Sequence, residues 1–216
     1  MLAAGLVLLI FDLLPWVPFR VAFFYGGIIC LVFFALLVFA NPLKWRTAAD
    51  ILDSLEWRGD ERVLDVGCGR GLWLVNAAKH LRSGLAVGVD TWSGRLQSGN
   101  NPERTLENAE IEGVADRVEV KDGEAQQLPF GDASFDLVIS SLVVHHVPKQ
   151  FRNGALREMV RVLRPGGGIL MLEIFGEVQV YEKAFGELGM VDIRTTWSKP
   201  LSFLGYRLLK AKKPKS

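Results

Sequence analysis

The run Val63-Leu64-Asp65-Val66-Gly67-Cys68-Gly69-Arg70-Gly71 decides the fold. It reads as a short buried strand carrying an acidic residue near its end. Three glycines follow at alternate positions, and then an apolar helix from Leu72 to Leu81. A backbone that turns sharply and lets a ligand lie almost against it needs residues without a Cβ. The helix beyond presents free N–H groups and a positive dipole end. These features predict a nucleotide-like ligand at the carboxyl end of a parallel strand.

Spacing narrows the ligand. The dinucleotide pattern G-x-G-x-x-G puts its third glycine at position 72, where this chain has Leu72. Here the order is G-x-G-x-G, with Asp65 two residues ahead of the first glycine. Four further signals come in sequence. Val87-Gly88-Val89-Asp90 is a second strand ending in a carboxylate, a group able to accept both hydroxyls of a ribose. Val118 to Ala125 is a third strand running into an acidic turn, Asp122-Gly123-Glu124. Leu128-Pro129-Phe130-Gly131-Asp132-Ala133-Ser134-Phe135-Asp136 leads into the apolar strand Leu137 to Ser141. Arg161-Val162-Leu163-Arg164-Pro165-Gly166-Gly167-Gly168 ends a helix, since proline and glycine stop it, ahead of the strand Ile169 to Glu173.

Over roughly residues 45 to 211 this succession resembles the class I S-adenosylmethionine-dependent methyltransferase family. The resemblance implies a Rossmann-like α/β fold, a seven-stranded sheet flanked by helices with its last strand antiparallel. It also implies S-adenosylmethionine as cofactor, and assigns roles by position. Gly67, Gly69 and Gly71 let the methionine part pass over the turn, with Cys68 packing between them. Asp65 accepts hydrogen bonds near the cofactor's amino group. Asp90, with Thr91 beside it, holds the ribose. Glu124 and the Ala125 backbone face the adenine, with Asp122 as the rival acid. Ser140 or Ser141, ending the fourth strand, borders the methyl group. For Asp65 and Asp90 the alternative is a carboxylate capping the next helix.

Methyl transfer from a sulfonium needs alignment and exclusion of water, and a general base only for a protonated, weakly acidic nucleophile. His146 and His145 follow the fourth strand, close to the acceptor's approach, and are the candidate bases. No metal is expected.

The expected organisation has strands over 62–66, 86–90, 117–121, 135–141, 169–173, 191–196 and 202–210. Helices are expected over 102–112, 149–163 and 180–188, and a further one opens with a capping box at Thr47-Ala48-Ala49-Asp50 and runs to about Leu55. The segment Thr91 to Pro102 is longer than a βα connection needs. With an exposed-looking Trp92, it is either a closing loop or plain surface. The link from Glu173 to Tyr181 is short, where a small-molecule enzyme would insert a lid.

Residues 1–40 contain only Asp12 and Arg20 as charged side chains; every other Lys, Arg, Asp and Glu lies beyond. The break near Asn41-Pro42 separates residues 1–41, an expected membrane anchor, from 42–216, the expected methyltransferase domain. Val21 to Phe39 is nineteen uncharged residues, a helix of roughly 28 Å, about the thickness of a bilayer's hydrocarbon core. Met1 to Leu14 forms a hairpin with it through Pro15-Trp16-Val17-Pro18-Phe19, lies in the interface, or is the remnant of a longer span. Lys44 and Arg46 put the larger part on the cytoplasmic side.

A formal charge of +1 gives no reason to expect nucleic acid as partner, and an Asn-Pro-Pro-aromatic run after the fourth strand is missing. The acceptor expected is a small, apolar or membrane-resident molecule: a lipid, a prenylated quinol or another apolar alcohol, phenol or amine. The alternative from another class is a catalytically silent, methyltransferase-like scaffold that binds cofactor or a protein at the membrane. Nothing in the sequence signals an oligomeric state.

Overall fold

A computed structural model describes residues 19–94, 99–197 and 205–215; for residues 19, 20, 22 and 32–45 it describes the backbone alone. The chain divides into two compact units, Met1–Leu43 and Lys44–Ser216. Helix α1 covers Phe19–Asp53. In the first unit its described side chains are exposed, among them Phe23, Phe24, Tyr25, Ile29 and Leu31.

Among the described residues no helix is long and apolar enough to cross a membrane. The expected transmembrane helix or hairpin is therefore not part of the architecture shown. Met1–Leu14 and the turn through Pro18 lie outside the described residues. The expected helix start at Thr47 is also corrected. Pro42 sits within α1 and lacks one N–H, a loss confined to a single rung of the ladder. Thr47 is consequently interior and buried.

In the second unit seven strands form one sheet in the order β3-β2-β1-β4-β5-β7-β6. They are β1 (Arg62–Val66), β2 (Leu85–Asp90), β3 (Val118–Asp122), β4 (Phe135–Ser141), β5 (Leu163–Ile174), β6 (Val191–Trp197) and β7 (Tyr206–Lys212). The first five pair in parallel, and β7 runs antiparallel to both β5 and β6. Apolar runs such as Val63-Leu64 and Val138-Ile139 suit strands covered on both faces.

The faces are filled by alternate residues. On one, Leu64, Val66, Val138 and Met171 meet Leu156 and Met159 of α4 (Lys149–Val162) and Tyr181 and Phe185 of α5 (Phe175–Glu187). On the other, Val63, Ala86, Ile139 and Leu170 meet Leu52 of α1, Leu74 of α2 (Leu72–Ala78) and Ala109 of α3 (Pro102–Ile111). The chain runs outward from β1 through β2 to β3 and then returns to β4. The crevice at the carboxyl ends of β1 and β4 is thus the topological switch point.

Several boundaries differ from expectation. Helix α2 ends at Ala78, not Leu81. The proline–glycine stretch after α4 belongs to β5 as an irregular bulge: Phe135 pairs with Leu163 and Leu137 with Gly168. A Cβ at Gly167 would lie 2.8 Å from the Asp136 carbonyl oxygen, so glycine is required where the bulge folds against β4. Helix α5 begins at Phe175, with Glu177 in its first turn to suit the dipole, leaving no room for a lid after β5. Strand β7 starts at Tyr206 and not at 202; residues 198–204 lie outside the described residues.

Candidate functional site

All three glycines after β1 adopt positive φ: 75° at Gly67, 52° at Gly69 and 84° at Gly71. The turn is tied to the neighbouring strand, since the N–H groups of Gly67 and Cys68 both donate to the Val89 carbonyl, at 2.7 and 3.2 Å. A Cβ on Gly67 would stand 2.3 Å from Val143 Cγ2, so β1's turn and the turn after β4 are in direct contact. On the outer side, Thr105 Oγ1 donates to the Gly69 carbonyl at 2.6 Å and Asn108 Nδ2 to the Arg70 carbonyl at 2.8 Å. Helix α3 therefore braces the turn from behind.

Two carboxylates flank the glycines and are used differently. Asp90 accepts the Gly69 N–H on Oδ2 at 2.8 Å, and on Oδ1 the Trp92 N–H at 2.8 Å and Asn100 Nδ2 at 3.1 Å. It holds the glycine turn in place and still lines the cleft. Asp65 is only 2% exposed, and its Oδ2 has no hydrogen-bond partner. Burial pushes its carboxyl up to about 7; the Leu74 N–H pulls partly back, and the Asp90 charge adds to the rise. The Leu74 bond is the helix-capping contact that was the alternative role for this residue.

This has a consequence for stability. Between pH 4 and 7 folded Asp65 keeps a proton that the unfolded chain has lost, so its contribution falls as pH rises through that window. Asp65→Asn removes the penalty. Urea unfolding at pH 5 and pH 8 should show the variant's advantage over the parent growing between the two, by on the order of 3 kcal/mol. An unchanged difference between the two pH values would contradict this burial account.

Gly67, Gly69, Asp90, Thr91, Glu124, Ala125, Ser141 and His146 all line one cleft of about 620 Å³. That volume suits a drug-sized ligand. Asn100, Gly123, Gln126, Leu142, Val143, Val147 and Pro148 are also on its walls. Six expected site residues are not on its walls. Cys68 is buried, its thiol held protonated by that burial and by the Asp65 and Asp90 charges, which makes it a packing residue and no nucleophile. Gly71 caps α2 and faces Thr105. Ser140 is buried with its Oγ unpartnered. Asp65 lies beneath the turn. Asp122 is occupied, accepting the Trp92 indole N–H at 2.6 Å. The exposed-looking Trp92 is thereby corrected: it is half-buried, its ring fastened across the end of β3, with φ at 55°. Of the two acids considered for adenine, Glu124 is the one on the cleft, its carboxylate paired with Gln126 Nε2.

His145 is the sixth. Its Nδ1 lies 2.7 Å from Glu173 Oε2, so the ring turns away from the cleft. Its neighbour His146 lines the cleft, the two rings 3.9 Å apart. Burial, and secondarily the nearby His145, hold the His146 imidazole below its ordinary range and therefore neutral at pH 7. Such a ring can take a proton from an acidic hydroxyl. Among the described residues no His, Cys, Asp and Glu cluster is placed to hold a metal.

Sequence reasoning missed Glu173, Asn100 and the Trp92–Asp122 contact. Glu173 had a readable signal: like Asp65 and Asp90, it is a lone acid closing an apolar parallel strand. Asn100 had none, because its bond to Asp90 crosses a loop whose path no local pattern encodes.

Comparison with known proteins follows the same lines. Residues 63–167 match a family described as a methyltransferase domain. The demethylmenaquinone methyltransferase of Staphylococcus aureus strain MRSA252 is 33% identical over 136 residues, covering 62% of this chain and 51% of that protein. The chain spans about half the length of the curated relatives it matches. Two solved structures share the fold. A SAM-dependent methyltransferase from Aquifex aeolicus has a TM-score of 0.62 at 18% identity, over 76% of this chain and 88% of the other. Geranyl diphosphate methyltransferase in complex with SAM has a TM-score of 0.65 at 18% identity, over 82% and 88%. The sheet order and the glycine turn agree with that match: residues 63–167, within the unit Lys44–Ser216, are similar to the methyltransferase domain family and share the fold of S-adenosylmethionine-dependent methyltransferases.

Proposed function

We propose that this protein methylates a quinol-type acceptor dissolved in the membrane, with S-adenosylmethionine as donor. The observation that carries the donor assignment is the cradle at the switch point. Gly67 and Gly69 leave bare backbone along one wall, Asp90 stands at its side, and the buried Asp65 Oδ2 beneath has no partner. An unpaired buried carboxylate oxygen suits a ligand carrying an ammonium group. The residues fit the group. Asp90 and Thr91 would hold its ribose, and Glu124, Ala125 and Gln126 its base, with Asp65 answering its amino group under the turn. Bound there, the cofactor supplies an electrophilic methyl on a sulfonium.

The acceptor side is Ser141, Leu142, Val143, His146, Val147 and Pro148, mostly apolar with one neutral imidazole. An apolar wall excludes water from the transfer. His146 receives the acceptor's hydroxyl proton, which raises electron density on a phenol-like ring as the carbon or oxygen attacks. Support for a quinol comes from the Staphylococcus relative, whose name gives demethylmenaquinone as the molecule methylated. Membrane residence is supported by the uncharged run Val21–Phe39, by Lys44 and Arg46 after it, and by the exposed Phe23, Phe24 and Tyr25. In this reading residues 1–41 anchor the chain and the methyltransferase unit lies on the cytoplasmic side.

Methyl-transfer assays with labelled donor should find incorporation into reduced demethylmenaquinone, or another apolar quinol, presented in vesicles. Label confined to the water-soluble metabolite pool would contradict the acceptor class.

A further inference from the structure

Glu173 has no exposed surface, yet it is an ionisable group with several donors aimed at it. Oε1 accepts the N–H groups of Val143 and Val144, at 3.1 and 2.9 Å. Oε2 faces His145 Nδ1 at 2.7 Å, and because a carboxylate only accepts, that nitrogen carries the hydrogen. The segment it grips is strained: Leu142, just after β4, has φ at 58°, where a side-chain-bearing residue is disfavoured. The same segment supplies Ser141, Leu142, Val143 and His146 to the cleft, and Val143 abuts Gly67. Behind it, Arg152 donates to the carbonyls of His145 and Val147 and to Glu177 Oε2. Burial holds the Tyr181 hydroxyl above its ordinary range, and the nearby Glu173 and Glu177 add to the rise.

We propose that Glu173 is a positioning residue for methyl transfer, one oxygen clamping the strained turn after β4 and the other fixing the His145 ring, against which the His146 ring lies tilted. It touches neither the cleft nor the reacting atoms. Its effect reaches them through His145, whose tautomer and orientation it sets, and through the backbone that aims His146 into the cleft. The arrangement resembles in logic any imidazole oriented by a buried acid, except that the oriented ring here supports a second one. The titratable and charged groups facing His146 are His145, Glu173 and Arg152; burial chiefly, with His145 and Arg152 adding and Glu173 opposing, holds its imidazole below the ordinary range. This inference rests on the methyl-transfer reading above.

Glu173→Gln tests it in the full chain. The amide oxygen stays with the Val143 and Val144 N–H groups, which puts the NH2 opposite His145 Nδ1 and forces that ring to the Nε2–H tautomer. Ring nitrogen NMR shifts should show the parent in the Nδ1–H form and the variant switched. Turnover, followed on the acceptor found in the assay above, should fall about 30-fold. KM for the acceptor and Kd for S-adenosylmethionine should stay within threefold. Should Glu173→Gln fail to fold, His145→Gln leaves the backbone clamp intact and should lose turnover to a similar degree, again with cofactor affinity held. A folded Glu173→Gln with unchanged tautomer and turnover, or a His145→Gln with full turnover, overturns the inference while leaving the methyltransferase reading standing. Failure of the parent chain to bind S-adenosylmethionine removes both.

Discussion

Asp90→Ala is expected to weaken S-adenosylmethionine binding by several hundredfold, beyond detection in an ordinary calorimetric titration, in a protein that still melts cooperatively. Two losses add. The ribose hydroxyls lose a charged acceptor, and hydrogen bonds to charged groups contribute about 1.5–3 kcal/mol each. The Gly69 N–H, the Trp92 N–H and the Asn100 amide also lose their shared acceptor, so the turn and the loop after β2 are no longer held in the binding geometry. Roughly 1.4 kcal/mol corresponds to a tenfold change, so a combined loss of about 3.5 kcal/mol gives the stated factor. Asp90→Asn separates the contributions: its amide oxygen still takes N–H donors, and its loss should be near tenfold. If Asp90→Ala binds within threefold of the parent, the ribose does not sit on this carboxylate.

Gly67→Ala should damage both stability and cofactor binding. A side-chain-bearing residue at φ 75° carries about 1–2 kcal/mol of backbone strain. Its Cβ would also overlap Val143 at 2.3 Å, and overpacking costs about 1–3 kcal/mol. A fall of about 2–5 kcal/mol in urea stability is expected, with cofactor binding lost as well because Val143 is pushed into the cleft. Gly113→Ala is the matched control. Its φ of 71° is equally left-handed, but nothing lies within 4 Å of the added carbon. That variant should lose only about 1–2 kcal/mol and keep full cofactor affinity. Equal losses at the two positions would show that backbone conformation alone matters and that the Gly67–Val143 contact does not.

The parts legible in the sequence were those where a local pattern has one physical outcome. Alternate glycines after a buried strand require left-handed backbone, and positions 67, 69 and 71 all have it. Acids ending apolar strands had to reach the carboxyl edge of a parallel sheet, and Asp65, Asp90 and Glu173 are all there. What local patterns could not supply was who meets whom across loops. Asp122 reads as a free acid until Trp92 is found on it. His145 and His146 are neighbours that the sequence separates only slightly, in favour of His146. Only the position of Glu173, 28 residues away from His145, turns one ring outward and leaves the other in the cleft. Boundaries erred where punctuation misled. Pro42 stands inside a helix, and Pro165-Gly166-Gly167 is a strand bulge that only pairing with β4 makes visible.

Hydrogen exchange with and without saturating S-adenosylmethionine, read peptide by peptide on the full chain, tests most directly whether the switch-point cleft is the donor site. Slowed exchange is expected in peptides covering 66–71, 90–94 and 123–126, with β6 and β7 unaffected and no protection in Asp90→Ala. Uniform exchange in the presence of the donor and of its demethylated product, or protection confined to β6 and β7, would contradict it.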